Sequence, residues 1–324
     1  MMTVKRLSVD CDKLNERGTF SPGDTLSGTV TVVTTKQIKV QRFVVKAKGK
    51  AQVTWTEKDG QATLICSDKK KYFYFENIIL QDKKGDGSEV IGPGKNVYSF
   101  VFQIPSRDMP SSYEGKWGKI TYSVQAKLTQ SIWVEHKIKT EVPFLSKAEF
   151  PFVSKTEMII IGLKEPQYGT RISFYGTGTV TMNVSSEKIG LKQGEAMGVS
   201  VEVLNNSPYT VMPTFYLHEK QTFAAQSKRR LHVNDILLAT GEPVSVATSQ
   251  KISKVLSFPS WLQPTFYNCS LMKLEYSLKV TLDAPLGKQP EVKLPLIILL
   301  GSPKPSQQKA KRSIWFRKFP GYMS

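Results

Sequence analysis

The 324-residue chain is poor in the residues that build metal centres and disulfide frameworks: it has three cysteines (Cys11, Cys66, Cys269) and three histidines (His136, His218, His232). An odd, widely spaced set of cysteines gives neither a disulfide framework nor a zinc ribbon. No histidine stands at metal-ligand spacing from another or from a cysteine, and His136 alternates in register with Val134 and Ile138, which predicts a sheet-face or core position. Long apolar runs are also missing. Leu294 to Leu300 is seven residues with a proline inside, far short of the ~20 needed to cross a bilayer as a helix. The N-terminal stretch carries Lys5, Arg6, Asp10, Asp12 and Lys13 and no apolar core of a leader peptide. These deficits predict a cytoplasmic protein, with its sequons at Asn183, Asn205 and Asn268 unused. The chain also lacks G-x-S-x-G, H-E-x-x-H and C-x-x-C. No nucleophile, base and orienting group can be named, so no catalysis, cofactor or metal is expected.

Negative charge is scarce. Lys and Arg total 45 against 27 Asp and Glu, a formal net charge of +18. Such an excess favours anionic partners, namely acidic lipid, phosphorylated peptide or nucleic acid. Nucleic acid stays an alternative on charge alone, because no RNA- or DNA-binding signature is present.

What is abundant is period-two alternation. Ile120, Tyr122, Val124, Ala126 and Leu128 alternate with polar neighbours, as do Leu274, Tyr276, Leu278, Val280 and Leu282, and Met197, Val199, Val201 and Val203. Shorter runs read as strands over 4–9, 26–33, 38–47, 53–56, 97–104, 132–142, 179–184 and 211–217. Turn residues such as Ser21-Pro22-Gly23-Asp24 and Gly92-Pro93-Gly94 separate them, and no long window shows a helical period. This predicts an all-β chain of antiparallel sandwiches. An echo at an offset of 171 residues relates Val9, Gly23-Asp24, Val30 and Val32 to Val180, Gly194-Glu195, Val201 and Val203. It predicts two similar sandwiches in tandem, divided near Pro143 to Lys155. Val30, Val32, Tyr122, Val124, Val201, Val203, Tyr276 and Leu278 are expected to face their cores, and Trp117 to mark a bend at a strand start.

Three basic clusters stand out. Lys69-Lys70-Lys71 precedes Tyr72-Phe73-Tyr74-Phe75 and reads as a solvated loop or an edge-strand guard. Lys228-Arg229-Arg230 precedes alternating Leu231 and Val233. The segment 302–324 has six basic residues and no acidic ones, with Lys311, Arg312, Trp315, Phe316, Arg317 and Lys318 mixing charge and aromatic bulk as membrane-contacting segments do.

Particular words in the sequence resemble the arrestin family. They are Phe20-Ser21-Pro22-Gly23-Asp24-Thr25-Leu26-Ser27-Gly28, the segment Ser112-Tyr113-Glu114-Gly115-Lys116-Trp117-Gly118-Lys119-Ile120-Thr121-Tyr122, Asn268-Cys269-Ser270 leading into Leu274 to Leu278, and Leu294 to Ile298. Together they resemble the α-arrestin, or arrestin domain-containing, type over about residues 3 to 301. The resemblance implies two tandem immunoglobulin-like β-sandwiches, 1–146 and 156–301, a hinge over 147–155 and a basic tail over 302–324. It implies a non-catalytic adaptor in endocytosis, sorting or trafficking, bound to cytosolic tails of receptors or transporters and to acidic lipid at the plasma membrane or endosomes. A retromer-subunit-like coat component is the alternative within the same fold. By resemblance, Lys5 and Arg6 match the basic pair that meets phosphorylated tails, and Lys228, Arg229 and Arg230 fall where other arrestins bind inositol phosphates. The chain departs from the α-arrestin pattern in having no P-P-x-Y motif. A WW groove needs adjacent prolines, which argues against recruiting ubiquitin-ligase WW domains by that route.

Overall fold

The computed structural model describes residues 3–13, 15, 17–60, 62–87, 89–131, 133–146, 167–174, 178–283 and 289–301. The hinge expected over 147–155 and the tail over 302–324 lie outside them, and with the tail go Lys311, Arg312, Trp315, Phe316, Arg317 and Lys318. Every regular element among the described residues is a strand.

In the N-terminal half these are β1 (Val4–Cys11), β2 (Thr25–Thr34), β3 (Ile38–Lys39), β4 (Arg42–Asp59), β5 (Ala62–Gln81), β6 (Val90–Ile91), β7 (Gly94–Gln103), β8 (Tyr113–Glu114), β9 (Gly118–Ser131) and β10 (Val134–Glu141). The C-terminal half follows with β11 (Gln167–Phe174), β12 (Gly178–Ser186), β13 (Gly190–Lys192), β14 (Ala196–Asn206), β15 (Met212–Ala225), β16 (Lys228–Thr240), β17 (Thr248–Ser257), β18 (Met272–Asp283) and β19 (Glu291–Leu299). The first half packs a β1-β2-β7 sheet against β10-β9-β4-β5, and the second packs β11-β12-β14-β17 against β13-β19-β18-β15-β16. Alternating side chains fill the space between the sheets of each half, as a two-layer fold requires. All eight residues expected to face the cores are buried.

The 171-residue echo is a structural repeat. Gly23 and Gly194 adopt nearly the same left-handed φ, 82° and 81°, a region glycine enters without a Cβ clash. The acid after each glycine closes its own turn: the Ser21 N–H donates to the Asp24 carboxylate at 2.7 Å, and the Lys192 N–H donates to that of Glu195 at 3.0 Å. The residue ahead of each turn also docks alike. Phe20 forms an isolated parallel bridge to Phe144, and Leu191 pairs in parallel with Ile298.

Besides the two- and three-residue β6, β8 and β13, the alternating runs leave out β5, β11, β16 and β17, and β19 is reached only through the resemblance of Leu294 to Ile298. Edge strands β5 and β16 each have one hydrogen-bonded neighbour in their sheets and are exposed over much of their length, so their sequences carry lysines and exposed apolar residues instead of a clean inside–outside pattern. Lys69, Lys70 and Lys71 lie within β5, which makes them edge residues, consistent with guarding against unwanted pairing.

Candidate interaction surfaces

Lys5 and Arg6 sit on β1, the edge of its three-stranded sheet, and both are exposed. The β1–β2 register shifts between Val4 and Arg6, so an extra residue bulges there and the two cations follow each other at an unpaired edge. An edge strand with a basic bulge suits an extended anionic peptide, because main-chain pairing and charge act together.

Lys228, Arg229 and Arg230 open β16, and the structure separates their roles. The Lys228 ammonium pairs with Glu57 at 2.7 Å, and Arg230 donates to the Thr56 carbonyl at 2.9 Å while its guanidinium lies 4.3 Å from the Trp117 ring centre. Glu57 also accepts from the Trp55 indole N–H at 2.8 Å, and the Lys228 ammonium, followed by that indole, holds its carboxyl below the usual range. Only Arg229, which is exposed, has no partner of this kind among the described residues. The end of the cluster therefore fastens the β15–β16 hairpin to the β4–β5 hairpin of the other sandwich.

That contact belongs to a continuous interface between the halves, and the segment from Tyr113 to Gly118 is its centre. Trp117 is half-buried, edge-on to Phe223 and to His232, each with ring centres 5.6 Å away. The Lys116 N–H donates to Gln221 at 2.9 Å, and the Gln263 amide donates to the Glu114 carbonyl at 3.2 Å. Tyr113 meets Phe266 edge-on at 4.8 Å. Gly118 lets the two halves approach: a Cβ there would lie 2.7 Å from Val53 and 3.1 Å from the Met272 sulfur. Further along, the buried Tyr72 hydroxyl donates to the Cys269 sulfur at 3.3 Å, and the Asn268 amide donates to Asp108 at 2.8 Å. Burial of Tyr72 pushes its phenol far above the ordinary value, with the bond to Cys269 adding to the effect. Trp117 is thus an interface residue, a role that its neighbours in sequence do not reveal.

The sheet formed by β10, β9, β4 and β5 carries a third feature. Its inner face is apolar, while its outer face presents Lys46, Lys48 and Lys50 on β4, Lys69 and Lys71 on β5, Lys119 and Lys127 on β9, and Lys137 and Lys139 on β10. Of these, only Lys69 and Lys71 fall in a cluster that stands out in the sequence. The alternating Lys46-Ala47-Lys48-Gly49-Lys50 was a legible signal for three more.

Among the described residues no group of three or more His, Cys, Asp or Glu is placed to hold a metal ion. The His218 ring nitrogen Nδ1 instead shares a hydrogen bond with Asp235 at 2.5 Å, and Asp235 also pairs with the Lys279 ammonium at 2.9 Å, on the outer face of the second sandwich. Among the described residues no helix is long and apolar enough to cross a membrane.

Two sandwiches of this topology, coupled through a glycine-bearing segment of the first, define an arrestin-type protein. Residues 7–149 match the family model for the arrestin (or S-antigen) N-terminal domain, and residues 176–304 match that for the C-terminal domain. The chain belongs to the arrestin family. Similar curated proteins include arrestin domain-containing protein 4 of Mus musculus, 26% identical over 289 residues covering 87% of this chain and 69% of the relative, and its Homo sapiens counterpart at 25% identity, covering 87% and 68%. Thioredoxin-interacting protein of Homo sapiens is 21% identical over 283 residues, covering 86% of this chain and 71% of that protein.

Proposed function

We propose that this arrestin-family, adaptor-like protein works without catalysis in the endocytosis, sorting or trafficking of membrane proteins, gripping the cytosolic tails of receptors or transporters beside an acidic membrane. The observation that carries the reading is the match of both sandwiches, in order, to the two arrestin domains. Arrestin-family proteins generally bind such cargo. The basic bulge of β1 supports it, since Lys5 and Arg6 offer charge at an edge ready to pair with an extended acidic or phosphorylated tail. In the same reading the protein is cytoplasmic and peripheral to the plasma membrane or endosomes, with the first sandwich ending near residue 146 and the second beginning near 156.

Affinity capture of the intact chain from detergent-solubilised cells tests this. Receptors or transporters are expected in the captured fraction and are expected to be lost with the Lys5→Glu/Arg6→Glu variant. Recovery of no membrane protein by the intact chain would overturn the adaptor reading. Retention of cargo by the variant would overturn the role of β1.

A further inference from the structure

We propose that the outer face of the β10-β9-β4-β5 sheet is a docking surface for an acidic lipid bilayer, with Lys48, Lys50, Lys69, Lys71, Lys119 and Lys137 as its charged contacts. The proposal rests on the membrane-adjacent reading above and goes beyond it in naming the surface.

The face is unbalanced in a way that folding does not explain. Its nine lysines face four carboxylates, three of them already engaged: Glu76 with Lys46 and Arg42, Glu135 with Lys127, and Glu141 with Lys139, while Glu114 of β8 stands opposite Lys119. The six lysines named above form no salt bridge among the described residues, and of them only Lys119 has a carboxylate, Glu114, directly across the ladder. Two pairs stand directly opposite across strands, Lys50 with Lys71 and Lys127 with Lys137. Like charges so placed destabilise a sheet, so the sequence keeps an arrangement that costs the fold something. Lys119 and Lys69 flank Gln52 in the neighbouring row, so Lys50 sits among cations spaced by one strand or by two residues, roughly 5–7 Å apart. Burial, and then the neighbouring lysines, lower the Lys48 and Lys50 ammonium groups below their ordinary value. A partner carrying negative charge over an area, rather than at one point, relieves this repulsion.

The rim of the face favours a bilayer over a phosphorylated peptide. At the β9–β10 turn of the same sheet Trp133 is 86% exposed, beside exposed Val134. An indole that no described residue covers suits the headgroup zone of a membrane, where tryptophan is enriched. By contrast, Lys228 and Arg230 of the other basic cluster are occupied by Glu57, Thr56 and Trp117.

The test is sedimentation of the intact chain with phosphatidylcholine vesicles, with and without phosphatidylserine. Binding is expected only with the acidic lipid, and to weaken as salt is raised. At about fivefold per lysine, the Lys50→Gln/Lys69→Gln/Lys71→Gln/Lys119→Gln variant is expected to bind at least about a hundredfold more weakly. Its melting temperature is expected to hold or rise, because it removes repulsion, which separates lost docking from lost folding. Trp133→Ser is expected to weaken binding further. Acidic-vesicle binding unchanged in the fourfold variant overturns the proposal, as does failure of the intact chain to bind such vesicles. So does a variant that keeps the vesicles and loses only a multiply phosphorylated peptide. Each of these results leaves cargo capture, and with it the adaptor reading, to be judged separately.

Discussion

The guanidinium carbon of Arg230 lies 4.3 Å from the centre of the Trp117 ring, and the two residues belong to different sandwiches. Arg230 also donates to the Thr56 carbonyl, and Trp117 also packs on Phe223 and His232. The cation–π contact is thus one link of the interface that sets the two halves against each other, with aromatic and hydrogen-bonding support around it. A double-mutant cycle of Arg230→Ala and Trp117→Ala, read by denaturant unfolding, is expected to give a coupling of about 1 kcal/mol. Arg230→Lys is expected to behave like the alanine variant, because an ammonium loses the planar stack. Strictly additive effects would remove this contact from the account of domain coupling.

Gly118 tests the interface from the backbone side. A Cβ at that position meets Val53 of its own sandwich and Met272 of the other, so Gly118→Ala is expected to destabilise by about 1–3 kcal/mol through overpacking. Gly92→Ala is the control, since nothing lies within 4 Å of a Cβ there. Equal melting temperatures for the two variants would show that the interface yields at no cost.

Glu195 gives a pH signature to the second repeat turn. The Lys192 N–H, and secondarily the Lys188 ammonium, hold its carboxyl below its ordinary value of 4.5 against an opposing effect of burial. The folded state then binds fewer protons than the unfolded state below that value. Its contribution is complete above about pH 4.5 and is lost as the pH falls through the folded value. Glu195→Gln is expected to flatten the acid limb of a stability–pH curve. An unchanged acid limb would mean that the turn does not depend on this charge.

Burial, with Asp12 and then Asp10 adding to it, pushes the Cys11 thiol up to about 11. At pH 8 only about one thiol in a thousand is then ionised, against roughly one in ten at the unfolded value, and the thiolate is the reactive form. Iodoacetamide labelling of Cys11, followed by peptide mass spectrometry, is expected to be about a hundredfold slower in the native protein than in denaturant. Comparable rates in both states would contradict this environment.

Much of this fold was legible because it is written in local chemistry. Alternation over 120–128, 197–203 and 274–282 follows from strands with one face in a core, and the glycine–acid turns at Gly23 and Gly194 follow from a φ that other residues resist. Those features act within a few residues and carry across the 171-residue repeat without help from the rest of the chain. Edge strands β5 and β16 were harder to read, because solvent on one side removes the need for a clean pattern. The roles of Trp117, Lys228 and Arg230 were decided only by tertiary structure. Their partners, Phe223, Glu57 and Thr56, stand more than a hundred positions away, and charge clustering in sequence carries no information about which cations a distant carboxylate or aromatic ring engages. The lysine face arose in the same way: four strands, each with a few cations in register, become one surface only when the sheet assembles them side by side.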